Sequence, residues 1–181
     1  MMRWLPLLLL LWLAACSEKT PPVTGDDTPQ LSLPDQESWN TTLIISYDGR
    51  KTGVLKAAHV LKFIKRKKTY IRDSLTVDFF DDMGRHTSVL TARGGEVHDN
   101  SQDMIAYGRV VVVSDSGLTL KTDTLRWDNK KKEIISHTPV MFVTRFDTLY
   151  GDRFVSDARL ENYTISNASG VSYRNFEKEK K

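Results

Sequence analysis

Side chains able to do chemistry are few in this chain, and they are scattered. Four histidines stand at His59, His86, His98 and His137. None falls into a recognised metal-site spacing, which sets ligands a few residues apart on one element. Surface or turn positions are expected for all four. The adjacent acids Asp26-Asp27 and Asp81-Asp82 lie in polar turn contexts, where aspartate serves by bonding to local backbone. No nucleophile elbow, phosphate loop or dinucleotide fingerprint is present. The sequence therefore supports no catalytic residue, metal site or cofactor. The residue with a chemical fate is Cys16, the single cysteine of the 181-residue chain.

Cys16 ends the string "MMRWLPLLLLLWLAAC", in which one cation, Arg3, precedes an apolar run from Leu5 to Leu13. That run is shorter than the ~20 residues needed to cross a bilayer. Small residues, Ala14 and Ala15, then lead into the cysteine. The layout is that of a secretory signal, and Leu-Ala-Ala-Cys resembles a bacterial lipobox. Residues 1–15 are predicted to be removed, leaving Cys16 as a lipid-modified N-terminus. A lone exposed thiol has no disulfide partner in an oxidising compartment, and acylation removes it. Buried acyl chains at ~0.8 kcal/mol per CH₂ hold such a protein on a membrane. The stretch after it, "SEKTPPVTGDDTPQLSLP", has the Pro, Thr, Asp and Gly content of a tether. Residues 16–38 are assigned to it, 39–176 to the folded domain and 177–181 to a charged tail.

From Trp39 onward, alternation with period two dominates and turn signals separate the runs. The stretch "KAAHVLKF" (56–63) would fit two helical turns, but its strand-forming neighbours favour a strand. The body repeats itself. Leu90 to Val113 aligns with Leu120 to Val143 at a shift of thirty residues, pairing Val110 with Val140 and Val112 with Phe142. An earlier copy aligns at a shift of thirty-five, pairing Leu75 with Val110 and Val77 with Val112. Hairpin turns are predicted at Asp99-Asn100, Ser116-Gly117 and Asn129-Lys130. Repeats of a few strands bury their apolar faces only by stacking. The predicted class is all-β, with an unpaired strand at each end.

Alternation also assigns faces, because neighbouring side chains of a strand point to opposite sides. Leu75, Val77 and Phe79 share one face, with Asp78 opposite. The repeat adds Val110, Val112, Leu118, Leu120, Val140 and Phe142 to the inward set. At the far end, 149–173 is predicted to form an exposed edge. The edge residues are Gly151, Leu160, Tyr163 and Ile165, in a run without the prolines or close lysines that block strand addition.

Formal net charge is +3, too small to indicate nucleic acid. The run "KFIKRKK" (62–68) gathers cations that suit phosphates on a membrane or glycolipid, or simply a solvated hairpin.

The string "LTARGGEVHDNSQDMIAYGRVVVVSDSGLTLKTDTLRWD" resembles the lipopolysaccharide-export proteins of the LptC and LptA type. Tyr107-Gly-x-Val110 and Leu120-Lys-Thr-Asp-Thr-Leu125 fit their repeat. "TLYGDRFVSD" (148–157) looks like the glycine motif of LptC, with Gly151 at the glycine position. The resemblance spans Trp39 to about Tyr173. Well-known LptC proteins carry a transmembrane helix at the N-terminus, where this chain has a lipobox.

The resemblance implies a twisted β-jellyroll, open along one side, with an apolar groove for lipopolysaccharide. Its partners would be the LptB/LptF/LptG transporter at the N-terminal edge and LptA at the C-terminal edge. The implied location is the periplasm, lipid-anchored to the inner membrane of a Gram-negative bacterium. The alternative is a surface glycan-binding β-repeat lipoprotein. That function wants exposed aromatic platforms, and Trp39 and Trp127 are the tryptophans left after signal removal. A periplasmic hydrolase would want an acid–base cluster, and none is evident.

Overall fold

The structure is a computed structural model and describes residues 33–173. The expected signal segment, Cys16, most of the expected tether and the charged tail lie outside the described residues.

Thirteen strands follow one another, all joined antiparallel into one sheet. They are β1 (Gln36–Tyr47), β2 (Arg50–Phe63), β3 (Lys68–Phe80), β4 (His86–Ala92), β5 (Gly94–His98), β6 (Asp103–Ser114) and β7 (Thr119–Asp128). Then come β8 (Glu133–Ser136), β9 (Val140–Val143), β10 (Asp147–Gly151), β11 (Arg153–Ser156), β12 (Tyr163–Ser166) and β13 (Ser169–Ser172). Among the described residues there is no helix. The stretch 56–63 is strand, paired with β1 on one side and β3 on the other. β1 starts at Gln36, three residues before the Trp39 boundary.

Hairpin turns sit where the sequence placed them, at 99–102, at 129–132 and around Gly117, whose φ is +87°. The β1–β2 connection is the two-residue Asp48-Gly49, with φ of +50° and +73°. Positive φ at both positions is the hairpin turn whose twist matches that of strands.

The sheet is folded over along a line of corners. β3 pairs β5 through its first half and β4 through its second. β6 does the same with β5 and β4, and β7 pairs β9 first and β8 afterwards. Every switch marks a corner. At these corners Asn40, Asp73, Arg109 and Asn167 have φ between +49° and +72°, and Gly108 has +78°. Local bulging of this kind bends a strand sharply. Corners at Asp73 and Gly108 are thirty-five residues apart. Gly108-Arg109 and Thr138-Pro139 are thirty apart. The sequence repeat is thus the repeat of corners.

Folding along this line makes two walls. One holds the strand halves near 41–57, 75–92, 110–122, 140–151 and 169–172. The second holds 59–71, 94–107, 125–136 and 153–166. The hydrophobic core lies between them. Leu55, Leu75, Val77, Val110, Val112, Leu120, Val140 and Phe142 from the first wall meet Val60, Ile71, Ala106, Leu125 and Phe154 from the second.

Candidate functional site

The interior between the walls and the two sheet edges are the features with functional form. Of the nine inward residues predicted, Leu75, Val77, Val110, Val112, Leu120, Val140 and Phe142 are buried in the core cluster. Phe79 and Leu118 are half-buried against it, nearer the turns. Asp78 points the other way, 3.5 Å from Lys56 and 3.7 Å from His86. All nine belong to the first wall. The second wall's Val60, Ile71, Ala106, Leu125 and Phe154 were not predicted.

The interior is filled by its own side chains. Phe142 and Phe154 have no exposed surface, and their ring centroids are 5.3 Å apart. An open depression of about 310 Å³ lies elsewhere, against the corners of β1 to β3, lined by Asn40, Thr42, Lys56, Ser74 and Thr76 among others. It is small, and with Ala57 and Ala58 also in its lining it is about as apolar as polar.

Two motifs of the sequence are corner devices. Tyr107 pairs with Gly94, and a Cβ on Gly94 would come within 2.7 Å of the Tyr107 ring. The ring covers the bare backbone of β5. Gly108 follows with positive φ, and its carbonyl accepts from the Arg93 N–H at 3.0 Å, tying one corner to the next. In Leu120-Lys-Thr-Asp-Thr-Leu125, the Thr122 hydroxyl meets the hydroxyls of Ser136 at 2.9 Å and Thr138 at 2.8 Å. It also bonds the Pro139 carbonyl at 3.0 Å. Ser136 is wholly buried. Buried hydroxyls are tolerated when satisfied, and no buried side-chain polar atom among the described residues lacks a partner.

At the chain's far end, β12 pairs β11 and β13 pairs β10, each with one strand neighbour. β1 likewise has β2 alone. Tyr163 and Ile165 lie on β12. Leu160 does not: it sits in the 157–162 turn with φ +61°, buried in the core cluster. The assignment of Leu160 to an edge strand is corrected by that burial. Its turn is organised by the Asp157 carboxylate, which accepts from the N–H groups of Arg159, Glu161 and Asn162 and from the Asn162 amide at 2.7 Å. Burial pushes the Asp157 carboxyl up, but these hydrogen bonds outweigh it and hold it below its ordinary value.

Gly151 ends β10 where the chain turns into β11. A Cβ there would collide with the Ile165 side chain and come 2.7 Å from the Ser166 carbonyl oxygen. Close approach of β12, not an unusual φ, is what demands glycine.

Three of the four histidines meet acid, and His137 is not among them. His59 bonds Glu37 at 2.7 Å and stacks on Trp39. His86 bonds Asp115 at 2.9 Å. His98 meets Glu96, two residues away, at 2.6 Å, and Lys68 shares that carboxylate. Among the described residues no group of three metal-capable side chains converges. Trp39 and Trp127 lie on separate strands and make separate contacts, Trp127 with Lys132.

Lys132 joins the two rows of turns opposite the corners. Its ammonium lies 4.6 Å over the Tyr47 ring, at the β1–β2 hairpin, while it belongs to the β7–β8 turn.

A single antiparallel sheet folded on itself around an apolar interior, with unpaired strands at both ends, is a β-jellyroll. The sequence model of the family described as "Lipopolysaccharide-assembly, LptC-related" matches residues 5–173. The chain belongs to that family. Among solved structures it is similar to LptH of Pseudomonas aeruginosa, described as the LptA-homologous periplasmic component of a conserved lipopolysaccharide transport device. Identity is 10% and the TM-score is 0.53, over 66% of this chain and 93% of that one. No curated protein matches in sequence.

Proposed function

We propose that the protein is a periplasmic carrier that takes lipopolysaccharide from the inner-membrane LptB/LptF/LptG transporter and passes it to LptA. The observation that carries this reading is the continuous apolar interior running between two ends that each present strands with one neighbour. Acyl chains fit such an interior, and unpaired edges accept further strands. β1 is the edge for the transporter, and β12 with β13 the edge for LptA. Cys16 supplies the lipid anchor, most simply to the inner membrane.

Because the core is filled, lipid uptake requires the walls to part. Phe79, Leu118 and the half-buried Ile45 line the rim where parting would begin, and the Tyr47–Lys132 contact spans it.

The test is photo-crosslinking in cells, with the probe at Phe79 or Leu118 and a control at outward Asp78. Lipopolysaccharide captured at the rim positions and not at Asp78 supports the carrier. Equal capture at all three sites refutes the assigned faces. Fatty-acid labelling tests the anchor: label should be lost on Cys16→Ala, and label that persists sinks it.

A further inference from the structure

The turn between β2 and β3 reads Ile64-Lys65-Arg66-Lys67, and all four residues are exposed. Ile64 is 54% exposed. An isolated exposed apolar side chain is ordinary, but this one stands among cations. Lys68 is neutralised by Glu96 at 2.5 Å, and Arg66 lies 5.0 Å over the Phe63 ring. Among the described residues Lys62, Lys65 and Lys67 make no ion pair with a carboxylate.

Other turns carry the combination only in part: exposed Phe146 has the single cation Arg145 beside it, and exposed Tyr47 lies under the Lys132 ammonium and next to Asp48. Met83 is 80% exposed, but it sits beside Asp81 and Asp82. The Lys130-Lys131-Lys132 turn has its backbone bound by the Asp128 carboxylate and carries no exposed large apolar residue.

The same turn is where the chain joins the domain. The Ile64 N–H donates to the Asp35 carboxylate at 2.8 Å, and the Asp35 N–H donates to the Lys62 carbonyl at 2.8 Å. Leu33, two residues earlier, is 86% exposed. Leu33 lies seventeen residues beyond Cys16, a covalent reach of at most roughly 60 Å.

We propose that the β2–β3 turn is a membrane-contact element for an anionic phospholipid surface. Lys65 and Lys67 meet headgroup phosphates, and Ile64 enters the headgroup–acyl boundary. Cations near such a surface and an apolar residue below it reinforce one another. The contact fixes the β1 edge close to the bilayer. It rests on the proposed Cys16 anchor only for which membrane is met.

The experiment uses the full lipidated chain in vesicles of phosphatidylcholine, with and without phosphatidylglycerol. A nitroxide is placed at Ile64→Cys or, as control, at Met83→Cys, and its depth is read from relaxation by oxygen against a water-soluble agent. The Ile64 label should be deep only with phosphatidylglycerol, and the Met83 label shallow in both. Lys65→Gln with Lys67→Gln should weaken the contact about 5-fold per cation at low salt. Lys130→Gln with Lys131→Gln removes the same charge and should leave it unchanged, with circular dichroism checking the fold throughout. A shallow Ile64 label, depth indifferent to phosphatidylglycerol, or equal losses in both double variants would overturn the proposal. Failure of the anchor looks different: the protein would not float with neutral vesicles, and Cys16 would take up label. Partitioning of the unanchored chain onto phosphatidylglycerol vesicles then reads the same loss on Lys65→Gln with Lys67→Gln.

Discussion

The ring of Phe142, on β9, lies 4.4 Å centroid to centroid from that of Tyr163, on the end strand β12. The two residues belong to opposite walls. Phe142 is wholly buried while Tyr163 is 39% exposed, and Phe154 contacts both rings. The core therefore continues to the last strand pair and ends there in a half-exposed aromatic ring. Any strand added beside β12 would lie against Tyr163 and extend the interior without a gap.

Phe142→Ala should destabilise the protein by about 3–5 kcal/mol, the cost of emptying a packed aromatic site. Tyr163→Ala should cost about 1 kcal/mol, because much of the ring is already in water and chiefly the aromatic pairing is lost. Urea denaturation followed by circular dichroism measures both. Equal losses would mean that the end strand is as integral to the core as β9.

How much of this was legible in the sequence follows from the corners. Period-two alternation identified Leu75, Val77, Val110, Val112, Leu120, Val140 and Phe142, all in one wall, because each lies in an uninterrupted half-strand. The inward phase then breaks. On β2 it runs Leu55, Ala57, then Val60. On β7 it runs Leu120, Thr122, then Leu125. Parity carried across Ala58 or Asp123 points to the wrong side, so the second wall was invisible to it. The signal was nonetheless present: a repeat of thirty to thirty-five residues with Gly108 and Asp73 at equivalent places marks where phase resets. Leu160 misled for a different reason. It lies between two strand-forming stretches, Phe154-Val155 and Tyr163-Thr164-Ile165, but Asp157 pulls the backbone into a turn and tucks the side chain under the end of the core.

Gly151→Ala should strain the junction of β10, β11 and β12. The added methyl meets the Ile165 side chain and the Ser166 backbone. Overpacking of this kind costs about 1–3 kcal/mol, and Gly151→Val should cost more. Because the strain falls on β12, folded Gly151→Ala protein should capture LptA less well in a pull-down, while crosslinking of lipopolysaccharide at Phe79 persists. Normal capture by a demonstrably destabilised variant would move the docking edge away from β12.

Ser136→Ala should open the corner between β8 and β9. The hydroxyl donates to the Thr138 carbonyl at 3.0 Å and accepts from the Thr138 N–H at 3.2 Å. Its removal leaves buried groups unsatisfied, at about 1–3 kcal/mol. Hydrogen exchange locates the effect: the amide of Thr138 should exchange faster, and amides of β2 should not. Uniform acceleration through the sheet would indicate a global loss instead.

The Asp157 turn should be acid-sensitive. In the folded chain this carboxyl sits below its ordinary value near 3.8, since burial, which raises it, is outweighed by the bonds from the Asn162 amide and the backbone N–H groups of Arg159, Glu161 and Asn162. A depressed carboxyl stabilises the fold wherever the group is ionised in both states, above the unfolded value. That contribution is lost as pH falls through the folded value. Asp157→Ala removes the group, so wild type should be the more stable at pH 7, and the difference should shrink below about pH 4. The local signature is hydrogen exchange at Arg159, Glu161 and Asn162, slow in wild type at neutral pH and fast in Asp157→Ala. Release of the turn also frees Leu160 from the core, so the same variant should expose apolar surface at the β12 end and bind a hydrophobic dye there. If the stability gap between the two proteins stays constant from pH 7 down to pH 3, the carboxylate is not what holds the turn, and Leu160 keeps its place by packing alone.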